Sequence, residues 1–81
     1  MPNNKDLKDR VVIDPRVLTG KPIIKGTRIP VELILKKLGQ KIDMKEILTD
    51  FPRLKEEDIR AAILYAESLV EGTEVFPLMP A

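Results

Sequence analysis

Three cations, Lys21, Lys25 and Arg28, fall within one short run, Gly-Lys-Pro-Ile-Ile-Lys-Gly-Thr-Arg-Ile-Pro-Val, at residues 20–31. Cations beside glycines are one way a chain cradles phosphate, because glycine lets main-chain N–H groups converge on the anion. The phosphate-loop pattern fails here, however. It requires a glycine upstream of Gly-Lys and a Ser or Thr directly after it, where this chain has Pro15 and Pro22. Covalent and acid–base chemistry fare no better. Ser68 is the one serine, in the middle of a helical pattern, and the chain has no histidine to activate it. Without Cys or His the common transition-metal ligands are missing, and pairs such as Glu57 with Arg60 read as surface ion pairs. No catalytic residue, metal site or cofactor is expected, and the chain reads as a non-enzyme.

The alternating glycines and prolines of residues 20–31 then call for a structural account. Glycine permits positive φ and proline fixes φ while removing a donor, so alternating them dictates a path. Gly20, Pro22, Gly26, Thr27, Arg28 and Pro30 are therefore assigned to a shaped connector between an N-terminal extended region and a helix. Arg28 is expected to pin that connector to a carboxylate such as Glu32, the alternative being that it lies outward toward phosphate. The chain has 81 residues and no cysteine, which fits one small domain in a reducing, cytoplasmic setting. No segment approaches the roughly 20 apolar residues of a spanning helix, so no membrane partner is expected. The net charge of +1 conceals a segregation: residues 1–41 hold ten basic and four acidic side chains, residues 42–81 four and nine.

Periodicity supplies the elements. Residues 1–10 are polar without a usable period and are expected to be a mobile tail. Val11-Val12-Ile13 predicts a short strand ended by Asp14-Pro15, residues 16–20 a loop or single helical turn, and Ile23-Ile24 a second strand folded back on the first. Val31, Ile34, Leu35 and Leu38 recur at helical spacing, with Pro30 in the first helical position and Gly39 closing the helix. Asp43 and Glu46 have capping-box spacing for a second helix over Met44–Asp50, broken by Phe51-Pro52. A third helix opens with Glu56-Glu57-Asp58 and continues through Ile59, Ala62, Ile63, Ala66 and Val70 to Gly72. A further row, Ala61, Leu64, Tyr65 and Ser68, makes it too apolar for one packing face. An apolar, proline-punctuated tail follows at residues 75–79.

The fold class is thus mainly α, with three helices in helix-turn-helix order and a short N-terminal β arm, as one domain over residues 11–78. Insertion of the third helix into a DNA groove is disfavoured, because Glu56, Glu57 and Asp58 would face phosphates. Any nucleic-acid contact falls to the basic half, with Lys21, Lys25, Lys36, Lys37 and Lys41 as candidates. Its cations equally suit a solvated face. Leu64, Tyr65, Val75, Phe76 and Leu78 are candidate protein-contact residues, the alternative being that the tail folds over Tyr65 within one subunit.

Ile13-Asp14-Pro15, the run at residues 20–31, Phe51-Pro52-Arg53-Leu54 and residues 58–66 together resemble a small prokaryotic family, domain of unknown function 433. The resemblance covers residues 11–78. It implies a homeodomain-like three-helix fold, commonly dimeric, and members are often classed as antitoxins of type II toxin–antitoxin modules beside a PIN-like nuclease toxin. It carries no catalytic residues. The expected function is an interaction module that neutralises a toxin encoded by the adjacent gene as a homodimer, the alternative being a DNA-binding regulator.

Overall fold

In the computed structural model, which describes residues 4–71, the element order is α1 (Asn4–Lys8), β1 (Val11–Ile13), a 3-10 turn (Leu18–Gly20), β2 (Pro22–Ile24), α2 (Val31–Gly39), α3 (Met44–Asp50) and α4 (Glu56–Glu71). The molecule is mainly helical, with one two-stranded antiparallel sheet. No helix among the described residues is long and apolar enough to cross a membrane.

The sheet pairs Val11 with Ile24, Val12 with Ile23 and Ile13 with Pro22. The Lys25 N–H donates to the Arg10 carbonyl at 2.7 Å, so alternation makes Val12 with Ile23 the next hydrogen-bonded pair. Pro22 consequently stands at a non-hydrogen-bonded position, where its missing N–H removes no ladder bond. On the other side of β2, the Ile24 N–H reaches the Ile29 carbonyl at 3.0 Å, and an isolated bridge joins Ile23 to Pro30. The connector is thereby sewn to the strand it leaves.

Two expectations at α2 are off by a residue or two. Pro30 is the N-cap, with φ −75° and ψ 145°, rather than the first helical residue. At the other end Gly39 is still helical, and Lys41 takes the left-handed conformation with φ 66°. The Lys41 N–H bonds to the Leu38 carbonyl at 3.1 Å and the Ile42 N–H to the Lys37 carbonyl at 3.0 Å, the two bonds of a Schellman closure. A side chain in that conformation is strained by about 1–2 kcal/mol, partly offset by the entropy glycine loses on folding. Lys41→Gly is therefore expected to raise the unfolding free energy by about 0.5 kcal/mol, read as a higher urea midpoint at unchanged slope.

Helix α3 starts as its sequence demands, with the Asp43 carboxylate accepting from the Glu46 N–H at 2.8 Å. It stops at Phe51, where the following proline disfavours helical geometry. The core gathers Ile24, Val31, Ile34, Ile47, Ile59 and Ala62 from β2, α2, α3 and α4.

The expected N-terminal tail is corrected. Residues 4–8 form α1, which packs on α4, and Leu7 is fully buried. Ala61, read from the sequence as surplus apolar surface, is also fully buried, outside the main core cluster. The expected close of α4 at Gly72 and the tail at residues 75–79 lie outside the described residues.

Candidate functional site

The connector holds its shape through its own groups. Gly26 has φ 80° at the third position of a turn whose Thr27 N–H returns to the Ile24 carbonyl at 3.0 Å, a place where a side chain would be strained. The Thr27 hydroxyl also donates to the Ile24 carbonyl at 2.7 Å and accepts from the Ile29 N–H at 3.0 Å. Gly20 ends a left-handed turn in which Leu18, Thr19 and Gly20 have φ 49°, 54° and 83°. Among the sequence-assigned connector residues, Gly20, Pro22, Gly26, Thr27 and Pro30 shape backbone, whereas Arg28 is exposed and makes no ion pair among the described residues.

The expected pin is made by a different cation. Lys21 Nζ donates to Glu32 Oε1 at 2.6 Å, both side chains being more than half exposed. Lys37 lies over the Phe51 ring, 5.6 Å from its centroid. Lys25, Lys36 and Lys41 are exposed and free of ion pairs among the described residues. The five candidate DNA-contact lysines therefore divide into two with local partners and three without.

The most buried ion pair among the described residues is one the sequence conceals. Asp58 is only 6% exposed, and both its oxygens are engaged. Oδ1 accepts from Arg10 Nη1 at 3.0 Å, and Oδ2 accepts from the Lys55 N–H at 2.9 Å at the start of α4. One carboxylate thus caps α4 and ties the N-terminal arm to it. At the surface, Arg16 donates side-chain bonds to both oxygens of Asp14 and its own N–H to Oδ1, which holds that carboxyl below its ordinary range.

Between β2, α2 and α4 opens an apolar groove of about 210 Å³, walled by Pro22, Val31, Leu35, Tyr65, Ala66 and Leu69 with the Lys21–Glu32 pair alongside. Tyr65 belongs to the sequence-predicted contact set, while Leu64 is half-buried outside the groove lining. Val75, Phe76 and Leu78 lie outside the described residues. Leu35, placed by periodicity on the apolar stripe of α2, and Leu69 are absent from that contact set, although Leu69 follows Tyr65 by one helical turn and is legible on that ground. Among the described residues no group of three or more carboxylates converges as a metal site.

The model of a family described as a protein of unknown function, DUF433, matches residues 11–66. The chain belongs to this family. The DUF433 match takes in the sheet, the connector, α2, α3 and most of α4, and ends before Leu69, which lines the groove. An uncharacterized protein of Sinorhizobium fredii, y4eO, is 33% identical over 61 residues, which are 75% of this chain and 28% of that protein. An uncharacterized protein of Archaeoglobus fulgidus is 62% identical over 24 residues, 30% of this chain and 67% of that protein. The crystal structure of a DUF433 member from Anabaena variabilis matches with a TM-score of 0.73 at 35% identity, covering 84% of this chain and 67% of the other.

Proposed function

We propose that this DUF433 domain is a non-catalytic interaction module, acting as a homodimer, that holds a protein partner in the groove between β2, α2 and α4. The partner is a PIN-like nuclease toxin encoded by the adjacent gene, which makes the domain an antitoxin. The observation that supports this reading is the groove itself. Its walls are apolar, and Leu69 beside it is 58% exposed, more than a side chain needed only for the core would be. The order of α2, α3, the break after Phe51 and α4 supports a homeodomain-like arrangement of the helical part.

Co-expression with the neighbouring gene product, followed by pull-down, tests the proposal. Leu69→Asp places a charge against the partner without touching the core, so captured toxin is expected to fall at least about tenfold while the fold persists. Retention by Leu69→Asp but loss on removing residues 73–81 would move the contact to the tail. Absence of co-purification and of growth rescue would overturn the antitoxin reading.

A second reading, DNA binding, is favoured by Lys25, Arg28, Lys36 and Lys41, which are exposed and make no ion pair among the described residues. It requires promoter affinity that falls steeply with salt, with a slope that Lys25→Ala reduces by about 1.

A further inference from the structure

The outer edge of β1 carries a self-complementary pattern. Because Val12 and Ile23 form the hydrogen-bonded pair of the ladder, the N–H and C=O groups of Val11 and Ile13 point away from β2. Among the described residues nothing bonds to them, and Ile13 at that edge is 58% exposed. An open edge of this kind is a template for another strand. The flanking charges indicate whose strand it is. Arg10 precedes the Val11–Ile13 triplet and Asp14 follows it, so the segment is positive at one end and negative at the other. Two antiparallel copies centred on Val12 overlap all three strand residues and set each Arg10 opposite the other copy's Asp14. A two-fold axis through Val12 pairs Val11 of each copy with Ile13 of the other. Outward-facing groups then meet outward-facing groups.

We propose that a second copy of this chain pairs along β1, antiparallel and in register about Val12, to give a continuous four-stranded sheet across the dimer. The inference rests on the homodimer reading above and names its interface. Arg10 keeps Nη1 on Asp58 and Asp14 keeps its bonds from Arg16, so the new pairs extend existing ones. The closed sheet also removes the exposed edge from each subunit.

Cysteine cross-linking reads the register, because the chain has no cysteine of its own. Directly opposed residues at a non-hydrogen-bonded position stand about 4.5 Å apart at Cα, within the range a disulfide spans. Val12→Cys is therefore expected to form a covalent dimer rapidly under mild oxidation. Ile13→Cys is more exposed but lies two residues out of register with its own copy, about 7–8 Å away, and is expected to cross-link at least about tenfold more slowly. Ile13→Pro deletes an outward donor that the β1–β2 ladder does not use. In sedimentation equilibrium from micromolar to millimolar protein, it is expected to be a monomer with an unchanged circular dichroism spectrum. Cross-linking of Ile13→Cys as fast as Val12→Cys would overturn the proposal. So would a wild-type dimer that Ile13→Pro leaves intact, although the homodimer reading would then stand on another surface. A wild-type chain that stays monomeric throughout overturns both.

Discussion

Asp58→Ala is expected to lower the unfolding free energy by about 2–3 kcal/mol, because it breaks two contacts that share one nearly buried carboxylate. Removing one member of a fully buried pair costs about 3–5 kcal/mol, and the Arg10 side chain is 33% exposed, so solvent recovers part of the loss. The rest comes from the Lys55 N–H, which loses its acceptor at the N-cap position just before α4. In a domain of this size the change corresponds to a fall in melting temperature of roughly 10–20 °C. Differential scanning calorimetry of Asp58→Ala, Arg10→Ala and the double variant separates the terms. Arg10→Ala alone is expected to cost less, since Asp58 then keeps the Lys55 bond. If the two single losses simply add, the Arg10–Asp58 contact contributes nothing and the assignment of the clasp fails.

The contrast between this clasp and the connector shows where sequence reasoning reaches. Gly26, Thr27 and Pro30 act on neighbours a few residues away, so their types and spacing were enough to assign a turn followed by a helix. Asp43 reaching Glu46 was legible for the same reason. Arg10 and Asp58 are 48 positions apart, and neither carries a local sign of the other. Asp58 instead reads as one of three acidic residues that open the third helix. Glu32 pairs with Lys21 rather than with the expected Arg28, which is exposed, and both cations flank the same connector. Only the folded path decides which of them turns toward α2. Lys41 and Gly39 illustrate a different limit. Glycine is the preferred residue at a left-handed closure, but the helix ran on until the next polar turn, and a lysine took the strained position. Helix α1 has five residues and supplies one fully buried large side chain, Leu7, too few for a period to register.

The groove lay beyond sequence reasoning for a related reason. Its walls come from three elements separated by many residues; those from β2 and α2 read as ordinary core positions on their own, and Tyr65 of α4 alone carries a contact assignment. Helical spacing marked α4 as too apolar, and the structure resolves that surplus into two parts. Ala61 of the further row is consumed within the fold and Leu64, Tyr65 and Ser68 are half-buried, whereas Ile63 and Val70 of the main stripe are exposed, together with Leu69. The basic N-terminal half divides likewise among the described residues: Arg10, Arg16 and Lys21 are committed to carboxylates there, and Lys25, Arg28 and Lys36 are not. A net-charge count treats the two sets alike, although only the second is free to meet phosphate without breaking an existing pair.

Ile34→Ala and Leu7→Ala remove side chains that are equally inaccessible, yet their consequences are expected to differ in kind. Ile34 belongs to the central cluster where α2, α3, α4 and β2 meet, so a cavity there weakens every element at once. The expected loss is about 3–4 kcal/mol, within the range for isoleucine truncation in a packed core. With a total stability of about 5–10 kcal/mol for a small domain, that loss brings the variant close to unfolding at physiological temperature. Leu7 is buried outside that cluster, in a five-residue helix docked on α4. Its truncation is expected to undock α1 before the body unfolds, which caps the global loss at the docking free energy of that helix. Hydrogen exchange distinguishes the two outcomes. In Leu7→Ala the Arg10 amide, which bonds to the Leu7 carbonyl, should lose protection while the amides of α2 and α4 keep theirs; in Ile34→Ala protection should fall at all three together. Uniform loss in Leu7→Ala would mean that α1 is part of one cooperative unit, and that the arm joined through Arg10 and Asp58 is as central to the fold as the core behind it.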